Sequence, residues 1–216
     1  MDTYSTPLGK IGITVIGHAS LLIEWDGRHI YSDPYAEAGD FSGRAKADLI
    51  LITHNHYDHY DEKAFSCIAT PDTAFVVSRD TGRVDGRYTV LENGGSWNYD
   101  GVTIYAVPAY NVNRRNGEGN LFHPKGDGNG YILDFAGFRL YIAGDTEPIP
   151  EMRDITGIDV AFLPKNLPFT MTDEEFAEAA NIIRPKYLYP IHYFELDAAK
   201  LSGMLDEGIT MMTNHK

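Results

Sequence analysis

Apolar positions in this chain gather into short runs bounded by turn residues, and few segments carry the three-to-four spacing of a helix. Ile11 to Ile16 is β-branched, and Ser20 to Trp25 follows it closely. An Asp26-Gly27 turn and a further run, Arg28 to Tyr31, complete a hairpin signature. Leu49-Ile50-Leu51-Ile52 is apolar throughout, which predicts a strand covered on both faces. Glu62 to Ile68 reads as a helix. Further strands are predicted at Ala74 to Val77, Tyr88 to Leu91 and Val102 to Val107, with turns at Asn93-Gly94-Gly95 and Asp100-Gly101.

The second half repeats the theme. Tyr131 to Phe135 and Arg139 to Ile142 flank an Ala136-Gly137 turn, and Val160 to Leu163 is another buried run. Thr172 caps a helix that opens Asp173-Glu174-Glu175 and keeps Phe176, Ala179, Ala180 and Ile183 on one face before Pro185 ends it. Tyr187 to Ile191 is a strand. Asp197 caps a last helix with Ala198, Leu201, Met204 and Leu205 on its face, and Ile209 to Met212 is a closing strand. Between the halves, Tyr110 to Asn129 is glycine- and asparagine-rich without periodicity, either a functional loop or a surface insertion. This order predicts a layered α/β sandwich: two mixed β-sheets packed together with helices outside. No linker divides the 216 residues, so 1–216 is expected to form one domain.

Charge narrows the choice of partner. The net charge is −13, with an isoelectric point near 4.9, which argues against a nucleic-acid substrate. A small anion stays compatible if bound cations offset that charge locally. The single cysteine, Cys67, excludes an internal disulfide and a thiolate zinc finger, and reads as a small buried apolar residue. No apolar run is long enough to span a bilayer, and Met1 to Lys10 lacks the pattern of a signal peptide, so the expected location is cytoplasmic. Nothing in the pattern sets an oligomeric state.

The chemistry concentrates in His54-Asn55-His56-Tyr57-Asp58-His59, directly after the apolar run Leu49 to Ile52. His54, His56 and Asp58 are spaced by two and point to the same side of an extended segment. With His59 they form a donor set too dense for one ion with an open position. Two ions divide it as His54 with His56 and Asp58 with His59. Gly144-Asp145-Thr146 follows a strand and aims a carboxylate that can bridge two ions. His192, at the end of another strand, either is structural or completes the donor set of the second ion. Asp33, in Asp33-Pro34, either supports a ligand histidine or caps a turn. His18 either lines the site or is a hydrogen-bonded structural histidine, and His29 and His215 read as solvent-facing. Arg114, Arg115 and Lys125 are either anion clamps or solvated surface charges.

These residues resemble the metallo-β-lactamase superfamily. Its hallmark Thr-His-x-His-x-Asp-His is matched by Thr53 to His59, its bridging aspartate by Asp145, its last histidine by His192 and its early Asp-Pro by Asp33-Pro34. Gly17-His18-Ala19-Ser20 and Pro190-Ile191-His192-Tyr193 look like the ascorbate-6-phosphate lactonase-like branch, and the opening segment is also similar to that of N-acyl phosphatidylethanolamine phospholipase D. The resemblance implies a four-layer αββα sandwich. It also implies a further histidine between the cluster and Asp145, where this chain has Asn111; His123 and His18 are the candidates to replace it.

The expected function is a metal-dependent hydrolase that uses a metal-activated water on a small ester, lactone or phosphoester. Zinc is the expected ion, one or two per chain, with Mn2+, Ni2+ or Fe2+ as alternatives. Asp58 is the expected catalytic residue. The alternatives are an iron-dependent oxidoreductase on the same scaffold and a non-catalytic metal-binding or sensing module.

Overall fold

The structure is a computed structural model that describes residues 1–213; His215 lies outside the described residues. Among the described residues, fourteen strands form two seven-stranded sheets, each in simple chain order. The first contains β1 (Asp2–Thr6), β2 (Gly9–Gly17), β3 (Ser20–Trp25), β4 (Arg28–Ser32), β5 (Leu49–Ile52), β6 (Ala74–Val77) and β7 (Arg87–Val90). The second contains β8 (Ser96–Tyr99), β9 (Val102–Pro108), β10 (Asn129–Phe135), β11 (Phe138–Ile142), β12 (Val160–Pro164), β13 (Tyr187–Ile191) and β14 (Thr210–Met211). The two halves share one plan. β1 to β4 pair antiparallel and β4 to β7 parallel, and β8 to β11 and β11 to β14 repeat that sequence of pairings.

Strand alternation sorts the apolar residues into three layers. Leu49 and Leu51 of β5 point into the core between the sheets, where they join Leu133, Phe135, Ile142 and Phe162 of the second sheet. Their neighbours Ile50 and Ile52 point outward and pack with Ala64, Phe65 and Ile68 of α1 (Glu62–Ile68). On the far side, Ala161 and Leu163 pack with Phe176, Ala179, Ala180 and Ile183 of α2 (Asp173–Ile183). All four residues of β5 are buried because both faces of this strand are covered, as its unbroken apolar pattern requires. The result is the four-layer αββα sandwich.

The turns and caps follow local chemistry. Asp26-Gly27 and Ala136-Gly137 both have positive φ at the two turn positions, the geometry that matches hairpin twist. α2 opens with a reciprocal capping box between Thr172 and Glu175, and Arg184 closes it in the left-handed region just before Pro185. Several expectations need correction. β1 and β8 are additional edge strands whose side chains alternate between exposed and half-buried, so no apolar run marks them. The last helix, α3 (Ala198–Ser202), stops before Met204 and Leu205, and β14 is only two residues long. A 3-10 turn at Pro150–Asp154 joins β11 to β12. Cys67 is half-buried, not fully buried, with Sγ directed to the Lys63 carbonyl at 3.4 Å. His29 is half-buried beside Glu24 and Asp48. No helix among the described residues is long and apolar enough to cross a membrane.

Candidate metal centre

The C-terminal ends of β5, β11 and β13 open onto one rim, where the parallel strands of both sheets meet. His54 to His59 leave β5, Asp145 leaves β11 through Gly144, and His192 ends β13. His18 reaches the same point from the turn between β2 and β3, and its carbonyl accepts from the His192 backbone N–H at 2.8 Å. Both residues of that cross-sheet pair, and Asp33, have φ between 44° and 54°, conformations costly for residues with a Cβ. Gly144 has φ 64°, and a Cβ there would sit 2.7 Å from the Asn129 carbonyl oxygen, so only glycine allows the close approach that aims Asp145.

The donor atoms fall into three groups, each with its members within 4.8 Å of one another: His54, His56 and His123; His54, His59 and Asp145; and His18, Asp58, His59 and His192. His123 Nε2 lies 3.1 Å from His56 Nδ1 and 3.4 Å from Asp145 Oδ2. His192 Nε2 lies 3.4 Å from Asp58 Oδ2 and 3.3 Å from Asp145 Oδ2. Asp145 therefore stands between an all-histidine group and a mixed group. His18 belongs to the mixed group, with Nε2 3.0 Å from Asp58 Oδ2, and not beside His54 and His56.

Hydrogen bonds behind the rings fix which nitrogen faces inward. The Thr53 hydroxyl has one proton and gives it to Asp33 Oδ2 at 2.7 Å, so it accepts from His54 Nδ1–H at 3.0 Å. His54 Nε2 then carries a lone pair. His59 Nδ1 is 2.9 Å from Asp33 Oδ2, and the same carboxylate accepts from the Thr53 backbone N–H at 2.8 Å. Of the two readings left open by the sequence, Asp33 serves the first: its carboxylate anchors His59 and also holds Thr53. Asn111 Oδ1 accepts from both the backbone N–H and Nδ1–H of His123, at 2.8 and 2.7 Å, while Asn111 Nδ2 donates to the Phe169 carbonyl at 2.8 Å. Asn166 Nδ2 donates to His192 Nδ1 at 3.0 Å.

The inward atoms have no such partners. His54 Nε2, His59 Nε2, His192 Nε2 and Asp145 Oδ1 are buried without a hydrogen bond. Convergent imidazole and carboxylate atoms without hydrogen-bond partners are costly in a buried site and are the ligand types a divalent cation takes, so the residues fit such an ion. Titration behaviour without an ion follows the crowding. Burial pushes His54 well below the ordinary histidine range and takes His123 down to about 4. Burial also opposes charge on His59, but Asp145 and Asp33 outweigh it and hold its pKa well above the usual value. Burial alone would raise Asp145; His192 and His59 reverse that and keep it well below the carboxylate range. Asp58 is likewise lowered, the bonds from His18 and His192 outweighing burial.

A model of the beta-lactamase superfamily domain matches residues 12–192, which include every one of these donors. The chain belongs to the metallo-β-lactamase superfamily. A metal-dependent hydrolase of Thermococcus kodakarensis is 32% identical over 198 residues, covering 85% of this chain and 84% of that protein. A solved structure of a metal-dependent hydrolase from Parabacteroides distasonis is 42% identical, with a TM-score of 0.89 over 98% of this chain and 96% of that one. Igni18, a metallo hydrolase from Ignicoccus hospitalis, shares the fold at 24% identity and a TM-score of 0.72, covering 95% and 96%. By family, the chain is an enzyme of the metal-dependent hydrolase class.

Two features of this superfamily member were hidden in its sequence. Thr53, Asn111 and Asn166 all hold the backs of site histidines, yet only their spatial neighbours reveal it. Glu147, buried after Gly144-Asp145-Thr146, accepts from the backbone N–H groups of Val112, Asn113 and Arg114 at 2.8, 2.8 and 2.9 Å and so ties down the loop that carries Asn111 and His123. The candidate anion clamps are engaged elsewhere. Arg114 pairs with Glu147 and Glu175, Arg115 donates to the Gly119 carbonyl, and Lys125 pairs with Glu151 at 2.6 Å while lying over the Tyr110 ring.

Proposed function

We propose that this chain hydrolyses a small ester, lactone or phosphoester with two divalent ions, zinc foremost. His54, His56 and His123 would hold one ion, and Asp58, His59 and His192 the other, with Asp145 between them. The observation that carries this reading is the set of four buried imidazole and carboxylate atoms that converge from both sheets without a hydrogen-bond partner. An ion there supplies Lewis acidity toward a carbonyl or phosphoryl oxygen and lowers the pKa of water toward neutrality.

The chain's own residues do the rest. Asp58, with Oδ2 held by His18 Nε2 at 3.0 Å, is a ligand of its ion and would also accept a hydrogen bond from the attacking water and orient it. Asp33, Thr53 and Asn111 hold the outer nitrogens of His59, His54 and His123, and Asn166 Nδ2 holds Nδ1 of His192, so that the imidazoles cannot turn. The reading of a non-catalytic module drew its strength from Asn111, which stands where the superfamily has a histidine. His123, 3.1 Å from His56, supports the catalytic reading by offering a third histidine there. The test is metal analysis of protein purified without added metal, together with turnover of Asp58→Asn. About two equivalents of a divalent ion and a loss of turnover of at least about a hundredfold are expected. Full turnover by Asp58→Asn would refute the assignment.

A further inference from the structure

We infer that the substrate of this site is uncharged away from its scissile bond and carries a flat apolar group, such as an aryl ring, that seats on Tyr57 and Phe194. The inference deepens the hydrolase reading above and rests on it.

A cavity of about 700 Å³ opens directly onto His18, His56, Asp58 and His192. That volume suits a small organic molecule. Its remaining walls are dominated by aromatic rings, among them Tyr35, Tyr57, Phe122, Phe169 and Phe194. Two of these are far from buried. Tyr57 is 76% exposed and Phe194 81% exposed, the most exposed aromatic side chains among the described residues. Neither belongs to any of the three apolar clusters, so core packing does not account for them. Tyr57 stands between two donors, His56 and Asp58, and Phe194 follows His192 by two residues, so the chain that carries the metal donors also carries these rings to the mouth. The Tyr57 ring meets Tyr35 edge-on at 6.0 Å, which leaves its outer surface open.

Charge points the same way. No lysine or arginine among the described residues lines this cavity, and the one charged side chain besides Asp58 and Asp145 is Glu37, to which the Tyr35 hydroxyl donates at 2.9 Å. The smaller space behind His54, His56 and His123, about 110 Å³, is bordered by Asp80 and Asp127 and also lacks a cationic side chain. Lys165, the cation next along the rim, is engaged with Asp173 at 2.8 Å. A carboxylate or phosphate on the substrate's far end would therefore meet Glu37 and aromatic faces with no partner, whereas a neutral ring would cover apolar surface at once.

The test separates the seat from the chemistry. N-Benzylacetamide, the amide counterpart of the neutral ester benzyl acetate, is titrated into the zinc-loaded protein by ligand-observed NMR. N-Methylacetamide and N-(4-carboxybenzyl)acetamide are titrated in parallel. The benzyl compound is expected to bind about tenfold more tightly than either, and to lose about tenfold in Phe194→Ala and in Tyr57→Ala while Tyr57→Phe retains binding. Equal or tighter binding of the carboxybenzyl compound, or affinity unchanged in both alanine variants, overturns the inference. Turnover of 4-nitrophenyl phenylacetate is followed on the same protein. Ring-dependent amide binding without turnover would leave the seat standing and count against an ester as the scissile bond; turnover without ring dependence would refute the seat and leave hydrolysis standing.

Discussion

Removing the Asn111 side chain should weaken the ion position formed by His54, His56 and His123 while leaving the other position nearly intact. Asn111 touches none of the inward atoms. Its Oδ1 holds His123 through two hydrogen bonds, at 2.8 and 2.7 Å, and its Nδ2 is itself fixed by the Phe169 carbonyl at 2.8 Å. In Asn111→Ala the His123 ring loses the acceptor that keeps Nδ1 protonated and Nε2 free. Asn111 is 1% exposed and His123 5%, so little water is at hand to substitute. Loss of a partner to a buried ligand histidine costs about 10- to 100-fold in metal affinity, or about 1.4 to 2.8 kcal/mol. The lower half applies if a water enters the space vacated by the amide; the upper half if the ring swings.

The measurement is competition against a chromophoric chelator at fixed pH, resolved into stepwise constants, with cobalt as a spectroscopic probe of the coordination. One constant should fall by 10- to 100-fold and the other by less than about threefold. A double-mutant cycle completes it. If Asn111 acts only through His123, Asn111→Ala made on a His123→Ala background should cost almost nothing further. An undiminished loss on that background, or no loss in the single variant, would refute the argument.

The neighbouring residues give further tests. Asp33→Ala strands the Thr53 N–H and hydroxyl and His59 Nδ1 in a buried site, and should lower unfolding free energy by about 3–5 kcal/mol in denaturant melts of the metal-free protein. Gly144→Ala must relieve a 2.7 Å contact at positive φ, and should cost at least about 2 kcal/mol in the same assay. The metal-free protein should be most stable near pH 6.5. Below that, unfolded histidines bind protons that buried His123, with its pKa down at about 4, refuses, so stability falls from pH 6.5 toward 4 by up to about 3 kcal/mol. His59 works in the opposite sense: its raised pKa stabilises the fold fully below the unfolded value, and that contribution fades as pH rises through the folded value. Zinc displaces this proton, so loading should flatten the alkaline limb and release about one proton per chain near neutrality, readable in a weakly buffered titration.

How far these features are legible in sequence depends on how local their cause is. β5 declares itself because four apolar residues in a row suit only a strand buried on both faces. α2 declares itself through Thr172, the acids that follow and the spacing of Phe176, Ala179, Ala180 and Ile183. β1 and β8 do not, because an edge strand needs only half its residues covered, and Asp2–Thr6 and Ser96–Tyr99 carry no apolar run. Within the site, the dense donors at 54–59 stand out by spacing alone. Their supports do not. Asn111 and His123 are 12 residues apart, Asn166 and His192 are 26 apart, and nothing between them signals that they meet. An asparagine in a glycine-rich loop looks like a turn residue; only the fold reveals that its carbonyl faces an imidazole.

The division of donors between the halves gives the centre a structural consequence. His18, His54, His56, Asp58 and His59 come from the segments of the first sheet, and His123, Asp145 and His192 from those of the second. Each of the two proposed ion positions therefore draws on both sheets, and an ion in either closes a link between halves that otherwise meet through the apolar layer and contacts such as the bond from His192 N–H to the His18 carbonyl. The apolar layer is continuous and buried without help from the donors, so chelation should leave both sheets folded, with far-ultraviolet circular dichroism retained. What chelation removes is the binding free energy that favours the closed pair, so the unfolding midpoint should fall and should recover with zinc concentration as mass action dictates. His192→Ala in the second half and His56→Ala in the first should each remove part of that zinc-dependent gain. Equal zinc stabilisation in both variants and the parent would show that the ion does not join the two halves.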